Sequence, residues 1–184
     1  MKQRSYMNLF LSPHNDDEAL FGAYTLMREK LKVLIITDSY TQEKRGDGVT
    51  AKERIEESKK ACKLLGVDVE FAHIRDDEIT EELLCLALQD IYGIDMCYCP
   101  AFEEGGNPIH NLVARIAPSY FDCIHYMTYT ESNTKTKGKM IITPTEEEKE
   151  LKRKALACYP SQMKIRTCAP FFNNKEVLDW ESYE

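Results

Sequence analysis

The chain has 184 residues, 43% of them hydrophobic and 30% charged, with a net charge of −7. That length and apolar content suit one domain, residues 1–184, with a buried core. The acidic balance argues against a nucleic-acid partner, because it offers no electrostatic footprint for phosphate backbones. No apolar run approaches the length of a membrane span, so no membrane partner is expected. The N-terminal stretch through Leu11 has basic residues before a short apolar run. That run is too short for a signal peptide and lacks a small-residue cleavage site, so it reads as a first strand in a cytoplasmic protein. Seven cysteines, odd in number and scattered through apolar patches, read as buried thiols rather than a disulfide framework.

In chain order, Met7–Ser12 is a short apolar strand. Glu18–Glu29 places Leu20, Ala23, Tyr24 and Met27 at helical spacing. Lys32–Asp38 is rich in branched residues and reads as a fully buried strand. Ser39–Val49 has no apolar face and reads as a polar loop. Thr50 and Glu53 form a capping-box pattern, which predicts a helix running to about Leu65 and ended by Gly66. Then come a strand over Val67–Ile74, a helix over Thr80–Asp90 and a strand over Ile94–Cys99. A loop over Glu103–Asn107 leads to a helix from about His110 to Ala117. Asp122–Tyr129 reads as a strand and Lys139–Thr143 as a peripheral one. Thr145 to Glu148 is a second capping box, opening a helix to about Cys158.

Strand and helix alternate at least four times. This predicts a three-layer α/β/α sandwich, Rossmann-like, with a mostly parallel sheet. Sites in such sheets form outside the carboxyl ends of strands. Two places are therefore privileged: Pro13–Glu18 after the first strand, and Pro100–His110 after the fourth.

His14, Asp16 and Asp17 occupy the first place. Imidazole and carboxylate suit a borderline divalent ion such as zinc. The His-x-x-Asp spacing lets His14 and Asp17 reach one ion from a single turn, which leaves Asp16 free as a base. A helix N-cap with a surface histidine reads the same spacing equally well. His110 stands in the second place, after Gly105 and Gly106. A lone histidine at a helix start is more often structural, but its sheet edge is the one that carries His14 and Asp17.

Three segments together resemble the PIG-L/LmbE-like N-acetylglucosaminyl de-N-acetylases. The family opens with a strand and Ala/Ser-His-Pro-Asp-Asp-Glu; here the run is Ser12-Pro13-His14-Asn15-Asp16-Asp17-Glu18. Arg54-x-x-Glu57, followed by Leu65-Gly66-Val67, is similar to the family's Arg-x-x-Glu helix. The stretch Lys154 to Gln162 resembles its Lys-x-x-Ala-Leu-x-x-His-x-Ser-Gln block, with Tyr159 where histidine is common. The match extends over roughly residues 5–165.

The resemblance implies that His14, Asp17 and His110 hold zinc, with iron(II) as the alternative, and that Asp16 is the general base. It makes Arg54 a candidate for holding a substrate hydroxyl; a pairing with an acidic neighbour on the helix reads Arg54 about as well. The implied reaction is removal of an N-acetyl group from an N-acetylglucosamine-type conjugate, a small-molecule partner. Nothing in the pattern points to an oligomeric state. One segment departs from the family. Its usual His-Pro-Asp-His reads Asn107-Pro108-Ile109-His110 here, so Asn107 offers a neutral hydrogen-bond donor in place of a titratable one. That departure supports a second reading, a non-catalytic or altered-specificity metal- or sugar-binding protein.

Three further patterns compete. His73-Ile-Arg-Asp76-Asp77-Glu78 imitates the first motif but reads as a solvated turn. Cys97 and Cys99 could offer two thiolates on one strand face, yet no second pair accompanies them, and core burial is the preferred reading. His125, in an apolar strand, reads as a satisfied core residue. Magnesium-dependent phosphoryl chemistry on Asp16, Asp17 and Glu18 would suit all-oxygen ligation, but not two histidines.

Overall fold

The computed structural model describes residues 7–29, 31–129 and 137–184; the N-terminal basic residues Lys2 and Arg4 fall outside it. Its strands are β1 (Met7–Ser12), β2 (Leu31–Asp38), β3 (Asp68–Arg75), β4 (Ile94–Pro100), β5 (Cys123–Tyr126), β6 (Met140–Ile142) and β7 (Glu181–Tyr183). They form one sheet in the order β3-β2-β1-β4-β5-β7-β6. The first five run parallel, and β7 and β6 close one edge antiparallel.

Alternation along the central strands explains the layers. Phe10, Val33, Ile35 and Tyr98 face one core, together with Ala61, Cys62 and Leu65 of α4 (Ala51–Leu65) and Ala155 and Leu156 of α7 (Glu146–Leu156). Leu9, Leu11, Leu34, Ile36, Cys97 and Cys99 face the other, under α5 (Glu81–Leu88) and α6 (Pro108–Ile116). The expected α/β sandwich is thus present, with both faces of its parallel strands covered. Cys97 and Cys99 are buried core thiols, and no described helix is long and apolar enough to cross a membrane.

Three local features differ from the sequence reading. The helix expected over Glu18–Glu29 is two, α1 (Asp17–Phe21) and α2 (Ala23–Arg28), broken at Gly22. A Cβ there would lie 2.3 Å from the Phe10 ring, so the backbone passes where only glycine fits. The polar stretch after β2 contains a short helix, α3 (Tyr40–Arg45), stopped by Gly46 in the left-handed region at φ 76°. The C-terminal region adds α8 (Pro160–Lys164), α9 (Ala169–Phe172), α10 (Glu176–Asp179) and β7. Glu181 of β7 is fully buried, 2.7 Å from Lys152 Nζ, and accepts from the Tyr24 amide at the start of α2. Lys152 also donates to the Leu20 carbonyl of α1 at 2.9 Å. The last strand therefore anchors the helices that follow β1.

The chain steps outward from β1 through β2 to β3, then crosses back to β4 on the other side of β1. The crevice between the carboxyl ends of β1 and β4 is the switch point where such folds bind ligands.

Candidate metal centre and active site

The loop after β1 is fixed by buried bonds on several sides. Thr37 of β2 donates from its amide and its hydroxyl to Pro13 O, at 3.1 and 2.7 Å. Tyr126 OH donates to Leu11 O at 2.9 Å. Ser12 Oγ lies 2.7 Å from His14 O and 3.1 Å from Glu18 Oε2. Glu18 is fully buried, and burial pushes its carboxyl up to about 8. A hydroxyl has one proton, so a protonated Glu18 satisfies both contacts: it donates to Ser12, and Ser12 donates to His14 O. Tyr159 OH bonds the other oxygen of Glu18.

This frame presents His14 and Asp17 to His110, which reaches the site from the first turn of α6. His14 Nδ1 is 3.2 Å from Asp17 Oδ2 and 3.0 Å from His110 Nε2, and His110 Nε2 is 3.1 Å from Asp17 Oδ2. Hydrogen bonds satisfy at most two edges of this triangle. A ring nitrogen donates or accepts but does not do both, so even with both imidazoles donating to Asp17 the two nitrogens face each other unpaired. Ligands about 2.0–2.1 Å from one small divalent ion in tetrahedral array lie about 3.3 Å apart, so the donor set and its spacing fit such an ion. Among the described residues, this is the one group of three His, Cys, Asp or Glu side chains whose ligand atoms all lie within 4.8 Å. Burial opposes ionisation of Asp17, but the two imidazoles hold its carboxyl far below the usual carboxylate range. Burial also opposes charge on His14; the hydrogen bond and charge of Asp17 outweigh it and raise its pKa.

Asp16 stands at the N-cap position of α1, yet its side chain makes no cap bond. Its Oδ2 instead meets Arg54 Nη2 at 2.9 Å. Arg54 is 1% exposed. It also donates through Nε to Ser39 Oγ at 3.2 Å and lies 3.5 Å from Glu57 Oε2. The simple capping alternative for this loop therefore fails: Asp16 is held beside the ligand triangle by a buried guanidinium. Ser39 and Glu57 were not among the sequence candidates. Glu57 carried a signal, as the last residue of the Arg-x-x-Glu pattern.

Asn107 caps α6, its Oδ1 accepting from Ile109 N at 2.8 Å and His110 N at 3.4 Å. It is exposed at the rim of a cleft of about 500 Å³ that contains the ligand triangle, Asp16 and Arg54. One wall of the cleft is apolar, with Phe21, Tyr129, Phe171 and Phe172; Phe21 sits edge-on to His110, ring centres 6.3 Å apart. Thr41, Gln42, Arg45 and Asp76 also line the cleft. His125, expected as a satisfied core residue, has a partner, its Nδ1 lying 3.1 Å from Pro100 O, but is only half-buried.

A family model described as GlcNAc-PI de-N-acetylase, PIG-L, matches residues 9–149. No curated protein matches the chain significantly. Among solved structures, a deacetylase in complex with teicoplanin, from the teicoplanin biosynthesis pathway, superposes with a TM-score of 0.72 at 15% identity, covering 96% of each chain. GalB, the 4-carboxy-2-hydroxymuconate hydratase of Pseudomonas putida KT2440, gives 0.71 at 13% identity, over 97% of this chain and 95% of its own. A zinc-inhibited form of the teicoplanin deacetylase Orf2 gives 0.66 at 14% identity, over 85% of each. At these identities the structures are alike in fold, and that fold serves more than one chemistry. The family match spans both privileged loops and the site they build, and the chain belongs to the PIG-L, GlcNAc-PI de-N-acetylase, family.

Proposed function

We propose that the protein is a zinc-dependent hydrolase that removes the N-acetyl group from an N-acetylglucosamine-type conjugate. The observation that carries this reading is the convergence of His14, Asp17 and His110 on one point, with Asp16 held beside them. A divalent ion bound there would supply Lewis acidity and a readily ionised water. Asp16 takes the proton of the attacking water and returns it to the leaving amine as the C–N bond breaks. Arg54, buried and committed to Asp16, Ser39 and Glu57, orients Asp16 for both transfers rather than reaching a substrate hydroxyl. With the Oδ1 of Asn107 committed to the helix cap, its amide NH₂ is the neutral donor for the developing oxyanion. The mixed lining of the cleft, aromatic and polar, suits a conjugate that joins a polar sugar to an apolar part.

The test combines metal analysis of the purified protein with hydrolysis of N-acetylglucosamine conjugates. Asp16→Ala is expected to keep the metal and lose acetate release. Activity retained in that variant would refute the assignment of the base.

A second reading, a metal- and sugar-binding member without deacetylase turnover, draws on Asn107. Among the described residues, no titratable side chain occupies position 107 or 109. Asn107→His separates the two readings: a gain in acetate release favours the enzyme, and tight sugar binding without turnover in both forms favours the binder.

A further inference from the structure

Tyr159 lies outside the cleft and still touches both working arms of the site. It directly precedes α8, and its side chain is fully buried. Its hydroxyl bonds Glu18, the second residue of α1. The opposite oxygen of Glu18 meets Ser12, the last residue of β1, at 3.1 Å. The Ser12–Glu18 contact joins the two ends of the loop that carries His14 and Asp17, and Tyr159 holds that clasp from outside. The Tyr159 ring also lies 5.6 Å from the guanidinium of Arg54, within cation–π range. Two residues on, Ser161 donates from its amide to Glu57, the second acidic neighbour of Arg54, at 2.9 Å.

We propose that Tyr159 is a positioning residue for the metal loop, acting through Glu18 and Ser12, and secondarily a floor for the arginine that orients Asp16. It does not line the cleft, so it acts without touching substrate. The inference rests on the metal site of the proposed function, and its readout is metal affinity rather than turnover.

The experiment measures zinc affinity of folded protein by competition with a chelating dye, for wild type, Tyr159→Phe, Ser12→Ala and the double variant. Tyr159→Phe keeps the ring and removes the hydroxyl. Outer partners of ligating groups typically set affinity by about 10–100-fold, so a loss of at least about 10-fold is expected in each single variant. The double variant should lose less than the product of the two, because both act on one clasp. Where hydrolysis is measurable, kcat should fall with KM little changed. Wild-type affinity in Tyr159→Phe, or fully multiplicative losses, would overturn the proposal; a plain core tyrosine lowers stability and leaves the affinity of folded molecules alone. If Tyr159→Phe does not fold, Ser12→Ala decides on its own, and unchanged affinity there removes the clasp. Metal binding without acetate release in wild type would sink the deacetylase reading and leave this inference standing. Acetate release unchanged in Tyr159→Phe would do the reverse.

Discussion

The loop after β1 reads His14-Asn15-Asp16-Asp17-Glu18, and the end of β3 with the turn after it reads His73-Ile74-Arg75-Asp76-Asp77-Glu78. Their ligand chemistry is nearly the same, and their fates are opposite. In the first loop Asp17 is 3% exposed and meets two imidazoles. In the second, His73 is 61% exposed, with its backbone in the left-handed region at φ 55°. Asp77 is taken by Arg75 and Lys44, and Glu78 by Arg75. The residues themselves do not make the difference. β1 lies inside the sheet next to the switch point, where β4 delivers a third ligand and β2 and β5 supply bonds that hold the loop. β3 is an edge strand, so among the described residues no neighbouring strand on its outer side delivers a further ligand: His73 meets Asp38 at 3.3 Å, and Asp76, which lines the same cleft, accepts from Thr41 N of α3 at 2.8 Å.

The contrast is broken most directly at Asp17. Asp17→Ala removes the vertex shared by both imidazoles and should abolish metal binding and hydrolysis, whereas Asp77→Ala should leave both unchanged. Metal content by mass spectrometry checks the pair. Chelation of the wild type should lower its melting temperature, since metal at roughly 100 times its Kd contributes about 2.7 kcal/mol. Next in size, Asp16→Asn should retain metal and lower kcat by about 10²–10⁴-fold, measured as acetate release. A fall of less than 10-fold would move the proton transfer to another group.

The frame behind the first loop gives the third prediction. Lys152→Met leaves Glu181 buried without its cation and should cost about 3–5 kcal/mol in denaturant unfolding. The second loop has no such anchor, and His73→Gly there should gain about 0.5–1 kcal/mol by relieving a left-handed backbone, with metal content unchanged. A loss of metal in His73→Gly would mean that the two loops are coupled.

Much of the site was legible in the sequence because strand ends were. Apolar runs located β1 and β4, and the rule that sites gather at carboxyl ends brought His14, Asp16, Asp17 and His110 to one edge. Their convergence was not legible, because 96 residues separate His14 from His110 and only the strand order joins them. Arg54 shows the same limit. Helical periodicity put it on α4, but the choice between a substrate contact and a partner for Asp16 depended on which face of α4 met Ser39. The break at Gly22 was hidden, since amphipathic spacing continues across it and the Phe10 ring that leaves no room for a side chain there is distant in sequence. β7 carried no strand signal, because its buried Glu181 is polar and is tolerated only opposite Lys152. α3 is a short helix without buried residues, so it left no apolar period to read.

One loop of the two, joined by His110, is proposed to hold a divalent ion. The measurement is metal stoichiometry of the purified protein and its His110→Ala and His73→Ala variants, side by side. Wild type and His73→Ala should each carry one zinc or similar divalent ion per chain, and His110→Ala none. A metal-free wild type, or full retention of metal in His110→Ala, would contradict that proposal.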